Sequence, residues 1–143
     1  MGLALSGPSF PAATVNDCLD GLVAKINGNV AGLDIVYTGR VGETKLSAAA
    51  SVTSLATVLN DTPTGLQMSY DYIIDIVVRI DDDYEAAERR LNAIHDGIWR
   101  AIWGDNSPLW TDCYPYAADQ KPASPQELVN WRRGILYVRV IPS

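Results

Sequence analysis

Apolar residues recur along the chain with two different periods. From Tyr70 to Ile80 they take every second position: Tyr70, Tyr72, Ile74, Ile76, Val78 and Ile80, with Asp71, Asp75 and Arg79 among the residues between them. A period of two is that of a strand, so this run predicts a strand with one buried face and one partly wet face. The spacing then changes. Tyr84, Ala87, Leu91, Ile94, Ile98 and Ile102 stand three and four apart, the stripe of a helix that opens at Asp82 or Asp83 and runs to Trp103. Glu85 with Arg89 and Asp96 with Arg100 add favourable i,i+4 pairs on its outer side, and Gly104-Asp105 closes it.

The remaining elements follow from caps and turns. Residues 1–13 are small and apolar and contain Pro8 and Pro11, which predicts an extended arm. Thr14 with Asp17 forms a capping-box pair ahead of Val15, Cys18, Leu19, Leu22 and Ile26, a second helical stripe ended by Asn27-Gly28. Leu33, Ile35 and Tyr37 alternate with Asp34 and Thr38, a short strand, and Gly39 to Glu43 turns the chain. The low-charge stretch 46–58 reads as a strand, because Asn60-Asp61-Thr62-Pro63-Thr64-Gly65 is turn chemistry leading into the strand at Tyr70; residues 43–66 then form a long hairpin or loop. The stretch 105–133 holds Pro108, Pro115, Pro122 and Pro125 and reads as an irregular loop, with a short strand near Leu109–Tyr116 and one helical turn at Ser124–Glu127 as the local exceptions. Ile135 to Ile141 alternates again and Pro142 stops it.

The order α-β-β-β-α-β predicts an α+β fold: a single antiparallel or mixed sheet with two main helices packed on one face. Its 143 residues suit one domain, residues 1–143, with no internal repeat or linker. The sheet face away from the helices is the informative one. It would carry Ile73, Val77, Ile135, Tyr137 and Ile141 among Asp71, Asp75, Arg79 and Arg139, too apolar for a solvated face and too charged for a core. A subunit interface suits that mixture. On a helical wheel Trp99 lies roughly 110° and Trp103 roughly 150° from the centre of the second stripe, at ~3.6 residues per turn. Either the 105–133 loop folds over them or they contact another chain, where tryptophan is over-represented. Val52 and Leu55, on the Ser/Thr/Ala-rich hairpin, join the candidate contact residues, since such a hairpin cannot build a core of its own.

Composition removes other classes. The formal net charge is −6 with a pI near 4.5, which argues against a protein that grips phosphates. Apolar runs stop well short of the ~18–20 residues that span a bilayer, and Met1–Phe10 lack the basic start of a secretory signal, so no membrane partner is expected. Cys18 and Cys113 read as incidental reduced thiols, without a CxxC pair. His95 is the single histidine and falls mid-helix, a packing residue rather than a base. Asp81-Asp82-Asp83 lacks the spacing of a calcium loop and reads as charge at a helix start. Gly39 and Gly42 around Arg40 lack a phosphate-loop ending. No catalytic, metal or cofactor residues are expected.

The stretch Tyr70-Asp-Tyr-Ile-Ile-Asp-Ile-Val-Val-Arg-Ile-Asp-Asp-Asp-Tyr-Glu-Ala-Ala-Glu-Arg-Arg-Leu-Asn-Ala-Ile joins an amphipathic strand, an acidic turn and a helix. With Val36-Tyr37-Thr38-Gly39 after the opening helix and the ending Gly134-Ile-Leu-Tyr-Val-Arg-Val-Ile, it resembles the tail terminator (tail completion) proteins of long-tailed bacteriophages. The resemblance implies a non-enzymatic virion protein of the tail or neck, made in the host cytoplasm. It implies a hexameric ring that caps the tail-tube protein, stops its polymerisation and meets the head–tail connector or stopper, while DNA passes through the lumen without specific binding. The interface residues expected on this reading are Ile73, Val77, Arg79, Trp99, Trp103, Tyr137, Arg139, Val52 and Leu55. The alternatives are another head–tail connector, stopper or tail-tube component, and a small cytosolic ligand-binding or enzymatic α+β domain, whose pocket Tyr70, Tyr72, Asp75 and Arg79 would line.

Overall fold

In the computed structural model, the described residues are 10–38, 48–63, 65–81, 83–103, 107–120 and 131–143. They form α1 (Val15–Ile26), β1 (Ile35–Thr38), β2 (Ala48–Thr62), β3 (Gly65–Arg79), α2 (Tyr84–Ile102), β4 (Trp110–Gln120) and β5 (Trp131–Pro142). The expected class holds: two helices on a single sheet, in the order α-β-β-β-α-β with one further strand, β4, inserted before the last. The sheet runs β1-β2-β3-β5-β4; β1 is parallel to β2 and the other neighbours are antiparallel.

Each helix begins where its cap dictates. Thr14 Oγ1 accepts from Asp17 N at 3.1 Å and the Asp17 carboxylate accepts from Thr14 N at 3.0 Å, a complete capping box. These bonds hold the Asp17 carboxyl below its ordinary pKa, the bond from the Thr14 backbone contributing most. Asp83 caps α2 by accepting from Ala86 N at 3.1 Å. Glu85 and Arg89 meet at 3.0 Å, as the i,i+4 spacing requires.

The core lies between the helices and the even-numbered face of β3. Leu22 and Ile26 of α1 and Leu91, Ile94, Ile98 and Ile102 of α2 pack with Ile74, Ile76, Val78, Leu136, Val138 and Val140. Two tyrosines tie α1 to the middle of the sheet. Tyr70 donates its hydroxyl to the Ala13 carbonyl at 3.1 Å and Tyr72 to the Val15 carbonyl at 2.7 Å, so both buried hydroxyls have acceptors. Arg90 of α2 reaches the loop before β1, where its Nε and Nη2 donate to the Gly32 carbonyl at 3.0 and 2.6 Å. Arg132 at the start of β5 meets Glu88 and lies over the Tyr84 ring, which fixes the opening of α2. Cys18 and Cys113 are both free and buried, and burial pushes the Cys18 thiol up to about 11.

Three expectations need correction. Much of the 105–133 stretch is β4, eleven residues long rather than a short strand or loop; residues 104–106 and 121–130, with the helical turn expected at Ser124–Glu127, lie outside the described residues. The opening of the 43–66 hairpin belongs to the main core, because Ala48, Ala50 and Val52 are fully buried beside β3. The strand at 46–58 extends to Thr62, and its partner begins at Gly65, whose φ of 121° is open to glycine alone at little cost. Residues 1–9 of the arm and the turn at 39–43 also lie outside the described residues.

Candidate interaction surfaces

Three surfaces hold the residues singled out by the sequence. The first is the sheet face opposite the helices. The β3–β5 register sets Asp71 against Arg139, Ile73 against Tyr137, Asp75 against Ile135 and Val77 against Arg133. Alternation puts all eight on that face, seven as expected and Arg133, which the sequence reading left in the 105–133 loop, in addition. Their charges are matched within the subunit. Arg139 Nε and Nη2 donate to the two Asp71 oxygens at 2.9 and 3.0 Å, and Arg133 Nη2 donates to Asp75 Oδ2 at 2.8 Å across a diagonal pair. The Arg139 guanidinium also lies 5.0 Å from the centre of the Tyr116 ring, which is 6.1 Å from Tyr137. The bond to Asp71 raises the Arg139 pKa further, so its charge is permanent. Burial, with the Asp71 charge behind it, raises the Tyr116 hydroxyl.

This pairing changes what the face can do. Two internally neutralised ion pairs lie among Ile73, Tyr137 and the nearly covered Val77 and Ile135. A partner can cover them without supplying counter-charges, which removes the usual desolvation penalty of an unpaired ion. Arg79 stands at the edge of this face and is bonded to Asp81 at 3.0 Å.

The second surface is the flank of α2. His95, Trp99 and Trp103 form a ladder with ring centroids 5.7 and 6.2 Å apart, the two indoles nearly parallel at 18°. Trp99 packs partly on the core, whereas Trp103 is 61% exposed. The wheel placed both off the buried stripe, and the described part of the 105–133 stretch leaves Trp103 uncovered. Gly97 sits on this helix because Val30 leaves no room for a side chain: an added Cβ would lie 2.8 Å from Val30 Cγ1.

The third surface is the outer half of the β2–β3 hairpin. Val52 is not part of it: the side chain is fully buried against the helices, so its role is packing. The sequence misled here because Ala48–Val52 is buried on both faces and shows no polar alternation. Leu55 is exposed, at a register shift between Ser54 and Ala56. Beyond it, Leu59 and Leu66 are also exposed, two residues that sequence reasoning did not single out. At the root of the hairpin a cavity of about 360 Å³ is lined by Phe10, Thr14, Val15, Asn16, Thr57, Met68 and Tyr70. Tyr70 contributes to this cavity, but Tyr72 is committed to Val15 and Asp75 and Arg79 lie on the other face, so these four residues do not converge on one pocket. Among the described residues no group of acidic, histidine and cysteine side chains is placed to hold a metal ion, and no helix is long and apolar enough to cross a membrane.

A chain of the virion of a native gene transfer agent particle shares this architecture. The TM-score is 0.50, with 85% of this chain and 84% of that chain covered, at 13% sequence identity. At that identity the likeness is one of fold. No protein-family profile and no curated protein sequence matches the chain.

Proposed function

We propose that this protein is a structural component of a phage-like virion, and specifically a tail terminator: a subunit of a ring that caps the tail tube and joins it to the head connector. The fold shared with the virion chain over most of both lengths is the observation that carries the reading. The surfaces support it. A ring of identical copies needs two different contact areas on each subunit. The charge-neutral sheet face and the Trp99–Trp103 flank lie on opposite sides of the core and are chemically distinct. Ile73, Tyr137 and Arg139 would serve one contact and Trp103 the other, with Leu55 on the hairpin reaching the tube. An acidic chain around a channel would repel a passing duplex rather than hold it. On this reading the protein makes and breaks no bonds.

Native mass spectrometry and negative-stain imaging at micromolar concentration test the proposal. Isolated rings, with sixfold averages, are expected. Filaments would assign the chain to the tube instead. A strict monomer that stays monomeric when tail-tube protein is added would overturn the reading. A second test shortens the hairpin tip between Leu59 and Leu66, sparing the buried Ala48–Val52. The variant should fold and form rings but no longer cap tubes.

A further inference from the structure

Two exposed charges stand beside the aromatic surfaces, one of each sign. Arg100 lies one turn before Trp103 on α2 and is exposed. Asp112 of β4 lies opposite Ile141 of β5, which places it on the outer sheet face with Tyr137 and Arg139, and it too is exposed. The carboxylate is therefore roughly 7 Å along the strands from Arg139, at ~3.3 Å per residue. On α2 the cation and the indole are about 4.5 Å apart along the axis, at ~1.5 Å per residue. Side chains of this length close the difference between the two spacings.

The cluster around Arg139 selects what can cover it. Asp71 takes the edge of the guanidinium through two parallel bonds and neutralises it. Tyr116 lies 5.0 Å from the guanidinium carbon and is 42% exposed. A second carboxylate would find no free charge here, whereas a ring can stack on the guanidinium and the phenol, and tryptophan is the strongest such partner. Asp112 next to them calls for a cation. The α2 flank carries both groups at matching spacing: Trp103, 61% exposed and held by its stack on Trp99, and Arg100.

We propose that these surfaces meet between copies of this chain: the α2 flank of one copy packs on the outer sheet face of the next, with Trp103 against Tyr116 and Arg139 and Arg100 paired to Asp112. The contact rests on the ring reading and specifies how its copies join. It is head to tail, since each copy gives a helix flank on one side and receives one on the other. The sheet is then covered on both faces, by its own helices on one and by a neighbour's α2 on the other.

Charge exchange tests the contact on the full chain, read by sedimentation across a dilution series. Arg100→Glu and Asp112→Arg should each raise the concentration for half-assembly at least about tenfold, because like charges then face each other. The chain with both changes should return to within about threefold of the original, since opposite charges meet again. Equal thermal unfolding of the four subunits reports an intact fold. Unchanged assembly in the single variants, or a double variant no better than the worse single, overturns the contact.

Cross-linking supplies the orientation. A mixture of Arg100→Cys and Asp112→Cys chains treated with a short bis-maleimide should give a covalent dimer, and neither chain alone should, because Cys18 and Cys113 are buried. A dimer from Arg100→Cys alone would mean that two α2 flanks meet each other, and would refute the proposal. Rings that persist without the charge dependence or the mixed link overturn this contact and leave the terminator reading standing. An original chain that never assembles overturns both, and cross-linked open filaments support the contact while overturning the ring.

Discussion

Asp71 and Arg139 face each other directly across β3 and β5 and are joined by two parallel bonds of 2.9 and 3.0 Å. The Asp71 side chain is 6% exposed and that of Arg139 29%, so the carboxylate takes its counter-charge from this cation, with a hydrogen bond from Tyr116 beside it. Arg139→Ala should therefore destabilise the fold by about 2–3 kcal/mol, somewhat less than the loss for a fully buried pair because Arg139 is partly wet. Replacing both residues, Asp71→Leu with Arg139→Met, should restore stability to within about 1 kcal/mol, since no orphan charge remains. Urea denaturation of the four proteins checks the cycle. A cost below about 0.5 kcal/mol for the single change would mean that water already serves Asp71.

Gly97→Ala should destabilise the protein although alanine is the better helix former. The propensity gain is about 1 kcal/mol. Against it, the new methyl would sit 2.8 Å from Cγ1 of Val30, a buried side chain whose branching leaves it little freedom to yield. Overpacking of this kind costs about 1–3 kcal/mol, so a net loss of up to about 2 kcal/mol is expected. Adding Val30→Ala should remove the penalty of the Gly97 change. Thermal unfolding of the single and double variants measures both.

Both of these relationships rest on elements of unequal legibility. The strand at Tyr70 and the helix after Asp83 could be read because each buries one face only, so polarity alternates with the correct period. The Thr14–Asp17 box could be read because capping is local. β4 could not be read in full: Pro115 and two register shifts break its alternation, and its place at the sheet edge is what makes a proline tolerable there. The mixed outer face was visible as a composition, but the pairing of Asp71 with Arg139 depends on register between strands 68 residues apart in sequence. Val52 misled for the same reason as its neighbours, being a small-residue strand covered on both sides. The closeness of Gly97 to Val30 left no trace in the sequence at all.

Trp103→Ala should leave the folded subunit nearly unchanged and weaken association. The indole is mostly in water, and its stack on Trp99 is worth about 0.5–1.5 kcal/mol. A shift in subunit stability of no more than about 1 kcal/mol, together with a lower mass by sedimentation, is the expected result. Unaltered assembly would remove this flank from the contact surfaces.

The thiols should be silent in the native protein. A thiol reagent at pH 8 should label neither Cys18 nor Cys113 until denaturant is added, because both are buried. The same burial makes stability fall in alkali. The Cys18 thiol ionises from about 9 in the unfolded chain but only near 11 in the fold, so the unfolded state gives up its proton first, and stability declines between those values. The Tyr72 hydroxyl, raised by burial and by the neighbouring thiol, acts in the same direction above pH 10. Denaturation midpoints at pH 8, 9.5 and 10.5 should decrease in that order, and Cys18→Ala should flatten the first part of the slope.

The hydroxyls of Tyr70 and Tyr72 grip the carbonyls of Ala13 and Val15 from the central strand of the sheet. A mechanical load applied at Phe10 would therefore not simply peel the first helix from the surface. It would pass through two phenols into β3, the strand braced by neighbours on both sides, and the junction should resist tension in proportion to the rigidity of that brace.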